Sequence, residues 1–330
     1  MSYQPSDCQA PRPKALTRRT TLLAAALSVS CRQIPPNHLK PRVQIVRAEY
    51  NQDLFSIVRR IFVDAKLDIK DRRVVLKPNL VEFDSRTAIN THPMVVHAVL
   101  EAVRSLGAGQ VFIAEGPGHR RITWDLADEA GYFKQIPRFE ESFIDLNTDE
   151  LREMQVPSPH SALRSLYLPA TVLSADLLIS IPKLKTHHWV GATLSMKNLF
   201  GIVPGGVYGW PKNVLHWAGI PECIADLHKM IPRHFCIVDG IVGMEGNGPI
   251  QGQPRKAGIL IAGADMPAVD ATCCRLMRID PSKIGYLELA ASKGQTSAQN
   301  VIQTGEPIAS VAQEFVLLPT WTPLRLRADS

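Results

Sequence analysis

A chain of 330 residues, 45% hydrophobic and only 6% aromatic, can bury one large core or two modest ones, and it suits a parallel α/β protein better than an all-β one. Its formal net charge of +6 is concentrated at one end. Residues 1–42 hold seven of the 37 basic residues and only one acid, Asp7, so the rest carries thirty of each sign, which argues against a nucleic-acid binder with a charged folded domain.

The leader comes first. Thr17-Arg18-Arg19-Thr20 precedes the apolar run Leu22 to Val29, and small residues lead to Cys31. A basic segment, a short apolar segment and small residues describe an export signal over residues 1–30. The paired arginines are similar to those of the twin-arginine type, so the twin-arginine export machinery is an expected partner and the periplasm or cell envelope the expected location. Cys31 is a candidate lipid-anchor site. The apolar run falls short of the roughly 20 residues a spanning helix needs, and no other segment is long enough.

Residues 31–42, with Pro35, Pro36 and Pro41, read as a linker. A strand at Val43–Val46 is followed by helical apolar spacing at Leu54, Ile57, Val58, Ile61 and Phe62. A second strand, Arg73–Leu76, ends in Lys77-Pro78-Asn79. Pro93 opens a helix that Gly107 stops. A third strand, Val111–Ala114, ends in Glu115-Gly116-Pro117-Gly118. Residues 119–174 are expected to form a small inserted or capping region. The alternation resumes with a buried strand at 175–181, a helix near 190–200, a helix from Ala218 to Met230, strands at 234–240 and 258–263, and a helix from Ala268 to Met277. The expectation is a single α/β domain over 43–318, its sheet mostly parallel with helices on both faces, and a peripheral tail over 319–330.

Six cysteines occur, with no C-x-x-C pair, which excludes the usual zinc and iron–sulfur spacings. In an oxidising compartment Cys223 and Cys236 are candidates for a disulfide; buried free thiols are the alternative. Cys273-Cys274 reads as core.

The chemistry gathers at the strand ends. Ligands of open α/β sheets bind beyond the carboxyl ends of the strands, so polar residues at several such ends converge on one site. Lys77, Lys183, Lys185 and Lys197 offer positive charge for a small anionic ligand, carboxylate or phosphate, with Asn79, Glu115, Gly116 and Asn198 as further binding residues. His92 and His187, with Lys185, are the candidate catalytic groups, because imidazole titrates near neutrality. Asp239 and Glu245 are candidate ligands for a divalent metal. The glycines at 116–118 and 201–206 offer backbone amides to an anion, but no Walker, dinucleotide, G-x-S-x-G or H-E-x-x-H motif is present.

Lys77-Pro78-Asn79, Thr91-His92-Pro93, Ala114-Glu115-Gly116, Pro182 to His187, Met196 to Gly201, Asp239-Gly240-Ile241 with Glu245-Gly246 and Gly248-Pro249, and Ala268-Val269-Asp270 follow in order over residues 43–290. In these motifs the chain resembles domain-of-unknown-function family 362, a prokaryotic group without a settled activity. Many members carry a ferredoxin-like module; its cysteines have no counterpart here, so an iron–sulfur cluster is not expected. The family is loosely similar to the nickel-pincer lactate racemase group. That resemblance implies His92 and His187 as an acid/base pair, with Lys183 or Lys185 holding a cofactor or a substrate carboxylate. The reading as an enzyme stands beside an alternative, a binding protein that holds an anionic ligand without turning it over.

Overall fold

Alternation of apolar side chains decides how this chain layers. In β2 (Arg73–Pro78), Val75 faces one core while Val74 and Leu76 face the other; in β7 (Leu177–Ile181), Leu178 and its neighbours divide the same way. A strand buried on both faces needs layers on both sides. The computed structural model describes residues 40–327 except 292, 293 and 295. The expected leader and lipid-anchor cysteine therefore lie outside the described residues.

The main sheet has ten strands. The remaining strands are β1 (Arg42–Arg47), β3 (Gln110–Glu115), β4 (Phe143–Asp145), β8 (Lys183–His187), β9 (Gly191–Thr193), β10 (His234–Glu245), β11 (Gln253–Gly263) and β12 (Ile302–Gly305), while β5 (Leu151–Gln155) and β6 (Ser165–Pro169) form a separate antiparallel hairpin. The order is β12-β1-β11-β10-β7-β2-β3-β4, with β8 paired to β10 and to β9. The run from β10 to β4 is parallel throughout, and antiparallel pairing is confined to β11 with its two neighbours and to β8 with β9.

Four helices of eleven to thirteen residues cover the faces. On one side lie α1 (Leu54–Asp64) and α2 (Pro93–Ser105); α1 buries Leu54, Val58, Ile61 and Phe62, one stripe at helical spacing. Pro93 stands in the first turn of α2, and Gly107, at φ +83°, closes the turn after it in a conformation that disfavours other residues. On the other side lie α3 (Ile220–Met230) and α4 (Met266–Leu276). The expected α/β class, with helices on both faces, is what the chain adopts.

Several boundaries differ from the reading of the sequence. Residues 183–187, expected as the polar end of the strand at 175–181, form a further strand, β8, because the ladder to β2 ends at Ile181 and the chain re-pairs with β10 beyond Pro182. The expected helix near 190–200 is β9 followed by a short helix, Ser195–Asn198, and one 3-10 turn. Asp239-Gly240 is not a strand end, since β10 runs on to Glu245 across an irregularity at 240–242. The 119–174 region joins the main fold: β4 extends the main sheet, and Leu126, Tyr132 and Phe139 enter the core shared with α2. The segment from 319 is not peripheral. Its turn Pro319–Leu324 buries Leu324, and Trp321 Nε1 donates to the His188 carbonyl at 2.9 Å. Cys223 and Cys236 are free and buried, as are Cys273 and Cys274, so the disulfide is not formed.

Candidate functional site

Two neighbouring strands each end in a charge that water does not reach. Lys77 on β2 and Glu115 on β3 are both buried, with Nζ 2.5 Å from Oε2. Burying two charges is tolerable only when they are paired and otherwise hydrogen-bonded. Glu115 also accepts from the backbone N–H of Leu80 and of Gly116, each at 3.0 Å, while Lys77 donates to the Pro78 carbonyl at 2.8 Å. Asn198 closes the arrangement: its Nδ2 donates to the Lys77 carbonyl at 3.0 Å and to Ser180 Oγ at 3.1 Å. Gly201 is obligatory here, since a Cβ would overlap the Glu115 carboxylate and the Lys77 ammonium.

The turn carrying Asn198 is held from α4. Asp270 accepts from the backbone N–H of Ser195 (2.9 Å) and Met196 (3.0 Å) and from the Ser195 hydroxyl. These N–H groups open the short helix Ser195–Asn198, so a buried carboxylate satisfies donors the helix leaves over. Burial pushes the Asp270 carboxyl up to about 7.

Above this floor lies a cleft of about 110 Å³, below the size of a typical drug-sized site and matched to a small ligand. Asn79, Glu115, Gly116, Lys185, His187, Lys197 and Asn198, all named from the sequence, line it together. Glu115 is the single carboxylate in the lining, and it is neutralised by Lys77. The cleft is therefore cationic. Lys185 Nζ donates to the carbonyls of Ile89 (2.9 Å) and Pro249 (3.3 Å). Lys212, which sequence reasoning missed, donates to the carbonyls of Gly116 (2.7 Å) and Phe200 (2.5 Å). The only signal for it was its place after Gly209-Trp210-Pro211; at φ +67° it holds an uncommon backbone conformation.

Lys197 is different. Among the described residues its Nζ has no hydrogen-bond partner and sits 3.8 Å over the Phe200 ring. Burial, then the Lys77 charge, push it down to about 7. Two further polar groups of the lining, Asn79 Oδ1 and Thr193 Oγ1, are buried without partners among the described residues. Two buried unsatisfied groups and a half-buried amine without a fixed partner face one small space, which marks a place built for a ligand.

His187 is buried, and its Nδ1 accepts the Trp189 backbone N–H at 3.0 Å. That bond uses the Nδ1 lone pair, so the neutral ring carries its proton on Nε2 and acts as a donor. Burial, then the Lys197 charge, hold it well below the usual histidine range, and His216 across the cleft is pushed down to about 4 by the same causes. His187 is therefore a neutral hydrogen-bond donor rather than the base its sequence context suggests.

His92 does not join this cleft. It caps α2, with its Nδ1 accepting from the Met94 N–H at 3.2 Å, and stacks on Tyr50 at 3.9 Å. With Tyr50 and Lys183 it lines a second cleft, of about 320 Å³, beside the segment 83–91. Lys183 is paired there with buried Asp239 at 2.6 Å, and Tyr50 completes the cluster by donating to Asp239 at 2.9 Å and accepting from Lys183 at 3.1 Å. The expected single site is thus divided, and His92 and His187 do not form an acid/base pair. The metal pair fails on geometry as well: Asp239 and Glu245 are six residues apart along β10, roughly 20 Å at strand spacing. Glu245 instead accepts from the Val316 N–H and faces Arg255. Among the described residues no three histidine, cysteine or acidic side chains gather as metal ligands, so these residues do not fit a metal held by protein alone or the pincer arrangement with both histidines. The Gly116 N–H is already given to the Gly201 carbonyl at 2.9 Å and is not free for an anion.

Residues 74–275 match the model of the family described as Domain of unknown function (DUF362), and the chain belongs to that family. A thylakoid-associated protein of Synechocystis sp. is 33% identical over 261 residues, 76% of this chain and 78% of that protein. Among solved structures, the lactate racemase apoprotein of Thermoanaerobacterium thermosaccharolyticum aligns with a TM-score of 0.44 at 14% identity over 74% of this chain, and a protein from Thermotoga maritima with 0.34 at 12% over 72%. The chain spans 58% of the length of each of these two structures. No helix among the described residues is long and apolar enough to cross a membrane.

Proposed function

We propose that this member of the DUF362 family is an enzyme acting on a small anionic substrate, a carboxylate or phosphate, in the cleft lined by Lys185, Lys197, Lys212 and His187. The observation that carries the reading is the set of polar groups left over there: the unpartnered Asn79 amide oxygen and Thr193 hydroxyl, both buried, and beside them the Lys197 amine, which has no fixed partner among the described residues. In the protonated form Lys185 and Lys212 each keep one of three N–H donors beyond the two given to carbonyls, enough to hold an anion at the rim. His187 Nε2–H donates to an oxygen on which charge develops, and Lys197 is the group able to take a proton near neutrality.

The test is calorimetric titration with oxalate and with inorganic phosphate, followed by solvent-deuterium uptake into a panel of small hydroxy and oxo acids. Lys197→Met is expected to weaken the better anion at least tenfold and to abolish isotope uptake. Absence of binding by either anion overturns the reading. Binding without any isotope uptake supports the second reading, a protein that holds an anionic ligand without turning it over.

Export by the twin-arginine route rests on Arg18-Arg19 before the Leu22–Val29 run. The thylakoid association of the Synechocystis relative supports a membrane-associated setting. A reporter fused to residues 1–42 should leave the cytoplasm, and replacing both arginines by lysine should hold it back.

A further inference from the structure

Four lysines are buried around the two clefts, each with acceptors for its protons, and a fifth, Lys197, is half-buried beside them. Lys77 has Glu115, the Pro78 carbonyl and Asn198; Lys183 has Asp239 and the Tyr50 hydroxyl. Lys185 and Lys212 each have two backbone carbonyls. An ammonium out of water needs acceptors for its protons, and these four have them. Lys197 has none among the described residues: one side is covered by the Phe200 ring and the other opens to the cleft. With no fixed acceptor the amine is free to turn to whatever occupies the site, and near neutrality part of it is the unprotonated nucleophile.

From this arrangement we propose that Lys197 is a nucleophile that forms a Schiff base with the carbonyl of a small 2-oxo acid, whose carboxylate is held by the spare donors of Lys185 and Lys212. The inference rests on the anionic-substrate reading above and names the substrate class. The amine nitrogen adds to the carbonyl carbon, forming the C–N bond, while the carbonyl π pair moves to oxygen. That oxygen takes the proton released by the nitrogen, relayed through the Thr193 hydroxyl, which has no other partner among the described residues. During this step the His187 Nε2–H hydrogen-bonds the developing oxyanion. The carbinolamine hydroxyl then leaves as water, taking with it the proton that remains on the nitrogen, and a neutral imine is left. One water is lost, and nothing is oxidised or reduced. The size of the cleft limits the acid to a few non-hydrogen atoms.

Two features separate this from simple charge attraction. Lys212 and Lys197 are both pushed down to about 7, yet Lys212 gives protons to two carbonyls, which favours its charged form, and Lys197 gives none. The groups around Lys197 are also cationic or neutral at neutral pH, apart from Glu115, whose charge is spent on Lys77. Adduct formation should therefore rise as pH increases through about 7.

The test is reduction of the full chain with sodium borohydride in the presence of pyruvate or glyoxylate, followed by intact mass and peptide mapping, with oxalate titrated separately. The expected result is one reduced adduct on Lys197, blocked by oxalate and absent in Lys197→Arg, whose folding is checked by its melting temperature. Lys134→Arg, at an exposed lysine away from the cleft, serves as a companion variant and should still be trapped. Adducts scattered over surface lysines and unchanged in Lys197→Arg overturn the proposal. Oxalate binding without any trapped adduct overturns the Schiff base and leaves the anionic-substrate reading standing. Failure of oxalate, pyruvate and glyoxylate alike to bind overturns both.

Discussion

The two clefts are built on the same plan and differ in what is left without a partner. Each stands on a buried lysine–carboxylate pair between adjacent strands, Lys77–Glu115 in one and Lys183–Asp239 in the other. Each holds a histidine whose Nδ1 accepts the backbone N–H two residues on, His187 from Trp189 and His92 from Met94. In the His92 cleft the Tyr50 hydroxyl completes the pair, and all its polar partners are accounted for. In the His187 cleft a further amine, a hydroxyl and an amide oxygen are left over. The same buried ion pair thus serves as a closed structural element in one place and as the floor of a reactive site in the other. What separates them is satisfaction, not residue type.

The comparison breaks most visibly at the pairs themselves. Glu115→Gln leaves Lys77 buried without a counter-charge, and Asp239→Asn does the same to Lys183; each is expected to lower unfolding free energy by about 3–5 kcal/mol in denaturant titration. Comparable losses at both would confirm the shared plan, and a silent variant at either would end it. Gly201→Ala comes next, pressing a methyl into the Lys77–Glu115 pair at a cost of roughly 1–3 kcal/mol and with loss of oxalate binding. Tyr50→Phe removes a hydrogen bond to a charged group and should cost about 1.5–3 kcal/mol while leaving oxalate affinity unchanged, because it touches only the other cleft.

The smallest effect is on pH dependence. The folded state holds Lys197 down to about 7, whereas the unfolded chain keeps its proton up to about 10.4. Between these values the unfolded state binds more protons at this lysine, so its contribution to stability rises with pH across that window and is flat below it. Lys197→Met should lower that slope by about one proton's share, measured as Tm against pH, with a remainder carried by Lys212, which is pushed down to about 7 as well.

Much of the layering and of the site is legible in the order of the amino acids. Continuous apolar runs at Val74–Leu76 and Leu177–Ile181 identify buried parallel strands, because a strand covered on both faces has no reason to alternate with polar residues. The lysines, His187, Asn79, Glu115 and Asn198 stand out as a constellation because they follow such strands. Pairing is not legible. Lys183 and Lys185 stand two residues apart on β8, yet one answers to Asp239 and the other to the carbonyls of Ile89 and Pro249. The segment from Asn79 to His92 lines one cleft with its first residues and the other with the rest, and no periodicity announces where it divides.

The amino-acid order by itself determined the α/β layering and the family, and it brought a cationic cluster to the strand ends, since burial pattern and residue type are local properties of the chain. The tertiary structure alone decided that Glu115 cancels Lys77, that Lys212 joins the site from a distant loop, that His187 is a donor, and that Lys197 is left without an acceptor. Those outcomes depend on which acceptor lies within hydrogen-bond reach, and that is fixed only when strands far apart in the chain come to lie side by side.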